Sequence, residues 1–227
     1  MAIINGRRVS NVPHSGVYGK ELIDEMKSGS GRRTVLHRSG MQFETIFPGK
    51  RYTKRELLDK KGQPVKIMTI PERTKGGFGL PRDPLSRQII TEQVIDVAEH
   101  LFKQGVDFDE DNADWLVVPS YFLPRNWHHI ARSTPLLIVF PTEYPTLPPI
   151  GFYLMEDLPQ SANGHLYANA YHEAWKEPLA QGWKWYCTYV EAGAWQPAPV
   201  RRPGDWKWGD NLWTYMTLVN EVLASGD

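Results

Sequence analysis

The sequence predicts an α+β protein in which an antiparallel sheet carries helices packed on it, preceded by a smaller compact unit. Three observations lead there. Strand-like and helix-like segments alternate over the first 70 or so residues. A stretch rich in Gly, Pro and charge, "PERTKGGFGLPRDP" at 71–84, follows with little to bury. Beyond it come a long amphipathic helix, three strand candidates and a terminal helix. The expected division is residues 1–77, a linker at 78–84, and a larger domain at 85–227.

Taken in order, "AIINGRRV" reads as a strand or a hairpin start, with Asn5-Gly6 as a turn signal. "SGVYGKELIDEM" spaces Tyr18, Leu22 and Met26 four apart, with Ile23 widening the stripe, as an amphipathic helix does. The small residues of "SGSG" end it. "RRTVLHR" and "VKIMTI" read as strands, with "KRELLDKKG" as a short helical turn between them.

In the larger part, Ile90, Val94, Val97 and Leu101 fall on one helical face, with Ser86 as the expected N-cap and Gly105 as the stop. "DFDEDNAD" at 107–114 reads as a solvated acidic loop. "WLVVPSYFL", "PLLIVF" and "IGFYLM" are strand candidates, the unbroken second one central. The long stretch to residue 210, rich in Trp, Pro and Gly, has little periodicity and reads as irregular. "DNLWTYMTLVNEVLA" closes as a helix with Leu212, Tyr215, Met216, Val219, Val222 and Leu223 as its stripe and Asp210 as its cap.

Composition narrows the functions. Lys+Arg and Asp+Glu are 26 each in 227 residues, so no bulk field favours nucleic acid or an anionic membrane. One cysteine forbids an internal disulfide and any multi-cysteine zinc site. With no apolar leader in "MAIINGRRVS" and no membrane-length apolar run, the expectation is a cytoplasmic protein.

The single cysteine, Cys187 in "WKWYC", is by composition either a small buried hydrophobe or a nucleophile. His172-Glu173 begins a zinc-protease pattern, but Lys176 stands where the second histidine belongs, so no metal is expected. "RRPGDWKWGDNLW" interleaves Arg201, Arg202 and Lys207 with Trp206, Trp208 and Trp213. That pattern suits either single-stranded nucleic acid or a loop pinned by tryptophans under snorkelling cations.

"VFPTEYPTLPPIGFYL" at 139–154 changes the balance. A strand runs into Phe140-Pro141, then Tyr144-Pro145, then Pro148-Pro149, then the next strand. Prolines stiffen such a crossing by fixing φ and removing donors. Downstream, Cys187 stands eight residues before Trp195-Gln196-Pro197, and a C-terminal helix follows. In that order, over residues 84–227, these features resemble the ubiquitin-conjugating enzyme family, whose catalytic cysteine precedes a Trp-x-Pro by the same offset. The resemblance implies that Cys187 carries a ubiquitin-like protein as a thioester. Tyr144, Pro145, Pro149, Trp195 and Pro197 would support it, with no metal or small cofactor.

One departure stands out. The family's His-Pro-Asn motif is missing, and Leu179 occupies the offset of its Asn. In this the chain resembles divergent bacterial members more than eukaryotic ones. His165, Asn169 and His172 are either substitutes or ordinary polar loop residues. The first unit, with Lys75-Gly76-Gly77 at its end, resembles a ubiquitin-like β-grasp domain with a diglycine tail, thin enough to thread a narrow active site. Because the chain continues, either a peptidase cuts after Gly77 or the domain is a fixed docking module.

The implied partners are an activating enzyme, a ubiquitin-like modifier and, if cleavage occurs, a deconjugating peptidase; the acceptor is open. The alternative is a catalytically inactive member of the same fold that only binds ubiquitin-like partners.

Overall fold

A computed structural model describes residues 3–4, 7–8, 17–25, 32–37, 43–53, 55–60, 62, 65–71, 82–156, 158, 183–188, 190–191 and 193–224. The protein is mixed α+β, and every strand pairing among these residues is antiparallel. The chain divides into two compact units, residues 1–72 with 172–182 and residues 73–171 with 183–227. No helix among the described residues is long and apolar enough to cross a membrane.

In the first unit, β1 (Ile3–Ile4) pairs with β2 (Arg7–Arg8), Ile4 opposite Arg7. The two intervening residues, Asn5 and Gly6, lie outside the described set. β3 (Val17–Tyr18) runs into α1 (Gly19–Glu25), so Tyr18 belongs to a strand and not to the expected helix stripe. Gly19 is required at the junction: a Cβ there would stand 2.0 Å from the Phe47 carbonyl oxygen.

β4 (Arg32–His37) is the centre of a three-stranded sheet between β5 (Phe43–Thr45) and β7 (Lys66–Pro71). β6 (Arg51–Tyr52) pairs with β3. β5 and β6 are too short for periodicity to reveal. The helical turn after β6 is closed by reciprocal bonds between Thr53 and Glu56, a capping box. Leu22, Leu36, Ile46, Tyr52, Leu57, Val65 and Ile67 form this unit's core.

The second unit is built on a five-stranded meander, β8 (Asp107–Phe108), β9 (Trp115–Phe122), β10 (Ser133–Val139), β11 (Gly151–Leu154) and β12 (Lys184–Cys187), each strand beside the next. β10 is central, as its unbroken apolar run suggests. Prolines within β9 and β10 are tolerated because they sit together at a register shift. Leu136 pairs with Val118 but Thr134 with Tyr121, leaving Pro119 and Ser120 opposite Pro135. A residue without an N–H fits a bulge, where the ladder is already broken.

One face of the sheet presents Leu116, Val118, Leu136, Ile138, Phe152, Leu154 and Tyr186 to two helices. α2 (Pro84–Leu101) contributes Ile90, Val94 and Val97; α3 (Leu212–Ala224) contributes Leu212, Tyr215, Met216, Val219 and Leu223. Leu101, expected on the α2 stripe, is exposed.

The helix caps differ from expectation by a few residues. Asp83, not Ser86, caps α2, its carboxylate accepting from the Ser86 N–H at 2.9 Å, with Pro84 in the first turn. Asn211, not Asp210, caps α3, its Oδ1 accepting from the Trp213 N–H at 2.8 Å. The acidic stretch is not simply solvated: Asp107–Phe108 is a strand, and Asp109 is buried with Asn112 donating to its carboxylate. Burial raises the Asp109 carboxyl above its ordinary value.

A buried polar node joins three segments of this unit. The Gln93 side-chain oxygen, on α2, accepts from the Tyr144 hydroxyl and from the Leu212 N–H at 3.0 Å, the first residue of α3. A leucine at 93 would strand both donors, each costing about 1–3 kcal/mol. Gln93→Leu is therefore expected to lower stability by at least about 2 kcal/mol, read as a fall in the urea midpoint; an unchanged midpoint contradicts the node.

Candidate functional site around Cys187

Cys187 does not lie in an irregular region. It is the last residue of β12, the edge strand of the sheet, paired with Gly151 at the start of β11. Tyr186, its neighbour, points into the helix-covered face and stacks on Phe152 at 5.5 Å. Alternation puts Cys187 and Trp185 on the opposite face. The Trp185 indole lies over Gly151, where an added Cβ would come within 2.4 Å of Nε1. A side chain at 151 would displace the tryptophan beside the thiol, so this position needs glycine. The Tyr186 hydroxyl accepts from the Leu158 N–H and donates to the Glu156 carbonyl, tying the strand to residues that follow β11.

The proline crossing between β10 and β11 reaches the same end of the sheet. Thr188, next to the cysteine, donates its N–H to the Ile150 carbonyl at 3.1 Å and its hydroxyl to the Pro149 carbonyl at 3.2 Å. Tyr144 is fully buried, tilted against Phe140 at 5.1 Å and against Trp195 at 6.3 Å. The Trp195 indole N–H donates to the Pro145 carbonyl at 2.8 Å.

The segment around Trp195-Gln196-Pro197 is held in turn by the loop before α3. Gln196 donates its N–H to the Asp210 carboxylate at 2.7 Å and accepts from the Asp210 N–H at 2.9 Å. This is where Asp210, expected as a helix cap, is engaged. Gly209 lets the backbones meet, since a Cβ there would fall 2.2 Å from the Ala198 nitrogen and 2.7 Å from the Pro197 carbonyl carbon.

Cys187 is thus joined to Pro149 through its neighbour Thr188, while Tyr144, Pro145 and Trp195 meet one another, with Pro197 two residues beyond Trp195. His165, Asn169, His172, Gly76 and Gly77 lie outside the described residues, as does Leu179.

Arg82 is a residue the sequence reading missed. Placed in the linker by composition, its guanidinium, 3% exposed, donates to the carbonyls of Phe140 at 3.1 Å, Pro141 at 2.7 Å and Thr142 at 3.2 Å, and meets Asp114 at 3.4 Å. Prolines 141 and 145 remove donors from the crossing, and Arg82 supplies donors to the carbonyls left over. A buried arginine of this kind has no local sequence pattern.

The basic and aromatic segment 201–213 is pinned. Trp206 donates to Glu92 at 2.9 Å, and Trp213 and Lys207 both donate to Asp96 at 2.6 Å and 2.9 Å. Burial alone would raise Asp96, but the bonds from Trp213 and Lys207 outweigh it and hold the carboxyl below its ordinary value. Trp208 is exposed. His128 and His129 each place a ring nitrogen on a backbone carbonyl, of Leu123 at 2.9 Å and Asn126 at 2.8 Å.

No protein-family model, curated protein or solved structure matches the chain.

Cys187 is half-buried, and burial pushes its thiol above the ordinary value. Less thiolate is present at neutral pH than on an exposed cysteine. Once formed, that thiolate is intrinsically the stronger nucleophile. The Cys187 alkylation rate by iodoacetamide is expected to climb with pH through an inflection above the ~8.5 of a free cysteine. An inflection at or below that value contradicts the buried setting.

Proposed function

We propose that the protein carries a ubiquitin-like modifier on Cys187 and passes it to an acceptor, as a ubiquitin-conjugating-like acyltransferase. The observation that carries this reading is the convergence at one end of the sheet. The only nucleophilic sulfur ends an edge strand, directly against a proline crossing whose Pro145 carbonyl holds Trp195. The meander with helices on one face is in keeping with a conjugating-enzyme-like domain over residues 85–227. The order of elements before residue 72, with the Lys75-Gly76-Gly77 sequence, is in keeping with a ubiquitin-like domain over residues 1–77.

The reaction is two acyl transfers. The Cys187 thiolate attacks the carbonyl carbon of a thioester on an activating enzyme. A new S–C bond forms, the old one breaks, and the donor sulfur leaves as thiolate. An amine or hydroxyl of the acceptor then attacks the same carbon, its proton passes to solvent or a neighbouring base, and Cys187 leaves as thiolate. ATP is consumed by the activating enzyme.

The second reading is a module of this fold that binds ubiquitin-like partners without catalysis. Leu179 at the expected Asn offset and the raised thiol favour it. A nucleic-acid surface has less support, because Trp206, Lys207 and Trp213 are engaged by Glu92 and Asp96.

The test is a gel without reductant, with the activating enzyme, ATP and a diglycine-ended modifier. Wild type is expected to gain a modifier-sized shift that reductant removes. Cys187→Ala loses the shift entirely while its melting temperature stays within a few degrees. An uncharged wild type beside a visibly charged activating enzyme favours the binding module.

A further inference from the structure

The fully buried Tyr215 phenol is a group that the packing of α3 does not by itself account for. Its hydroxyl lies 3.2 Å from the Thr188 hydroxyl, which lies 3.2 Å from the Pro149 carbonyl. A carbonyl only accepts, so the Thr188 proton goes to Pro149 and the Tyr215 proton to Thr188. The chain runs from α3, through the residue after the cysteine, to the proline crossing. With the Thr188 N–H on the Ile150 carbonyl, residue 188 is fixed by three hydrogen bonds, two of them to the consecutive carbonyls of Pro149 and Ile150 and the third from Tyr215. Cys187 is held from the other side by its strand pairing with Gly151. An edge-strand terminus otherwise frays, so such bonds are what give the thiol one position.

We propose that Thr188 and Tyr215 are positioning residues for Cys187, their hydroxyl chain to Pro149 fixing the thiol at the end of the sheet. The inference rests on the reading of Cys187 as the acyl carrier and supplies that reading with fixed geometry where the family's asparagine support is missing. The bonds of both reach residue 188 and the crossing, so both act through the position of Cys187.

The test has two arms on the full-length chain. In the first, without any partner, Cys187 is alkylated with iodoacetamide at fixed pH. Thr188→Val removes the hydroxyl but keeps the shape, and is expected to react about tenfold faster as the thiol loosens. Thr188→Ser restores the hydroxyl and the wild-type rate. Tyr215→Phe keeps the Thr188–Pro149 bond and is expected to fall between, which also covers the case of a Val variant that fails to fold. Equal rates for all variants, or a Ser variant as fast as the Val one, overturn the proposal.

In the second arm, loading from the charged activating enzyme is followed. Thr188→Val is expected to lower turnover about tenfold with an unchanged KM, and Thr188→Ser to recover it. Loading of the Val variant at the wild-type turnover overturns the positioning role and leaves the carrier reading intact. A wild type that never loads, with the alkylation order as expected, overturns the carrier reading and leaves the positioning of the thiol standing.

Discussion

The second unit depends on one amide oxygen. Gln93 is the partner of both the Tyr144 hydroxyl and the first N–H of α3. Tyr144 has no water to turn to, and the opening N–H of a helix has no intrahelical acceptor. A single acceptor on α2 therefore fixes where the crossing runs and where α3 begins. The arrangement is held despite a cost, since the Gln93 amide nitrogen has no partner among the described residues. From that node the crossing places Pro145 under Trp195 and Pro149 against Thr188, and α3 places Tyr215 beside Thr188.

Supply of donors to the crossing is the second constraint. Proline-rich segments leave carbonyls exposed to a low-dielectric interior without offering N–H groups of their own. The protein answers from three directions: Arg82 at the front of α2, the Trp195 indole from the far side of the cysteine, and the Thr188 hydroxyl from the end of β12. Burial pulls the Arg82 guanidinium below its ordinary value, although Asp114 beside it opposes the change. Each donor comes from a different stretch of chain, which is why the crossing and the cysteine end share one geometry.

How much of this was legible depended on the range of the interactions. β4, β7, β9, β10, β11, α2 and α3 were readable because hydrophobic periodicity is local. β5 and β6 were not, because strands of two or three residues are set by their partners. β12 was hidden for a related reason: "WKWYC" is aromatic on both faces, so no alternation marks it as a strand. Caps slipped because Asp83, Ser86, Asp210 and Asn211 are all competent, and only tertiary contacts choose among them. Within the site, the proline and tryptophan spacings named Tyr144, Pro145, Pro149 and Trp195. Gln93, Arg82, Thr188 and Tyr215 carry no local pattern, and a hydrogen bond spanning tens of residues cannot be read from its two ends.

The meander has an uneven connectivity that bears on Cys187. β8 to β11 follow one another through short connections, but residues 155–183 separate β11 from β12. Closing a span of that length costs more chain entropy than closing the others, and the return is a four-residue ladder on one side only. The cysteine therefore rides on the strand whose pairing has the highest effective contact order in the sheet. Its pairing is the one in the sheet that chain connectivity helps least. The bonds of Thr188 to Ile150, Pro149 and Tyr215 act against that disadvantage at the very end of the strand.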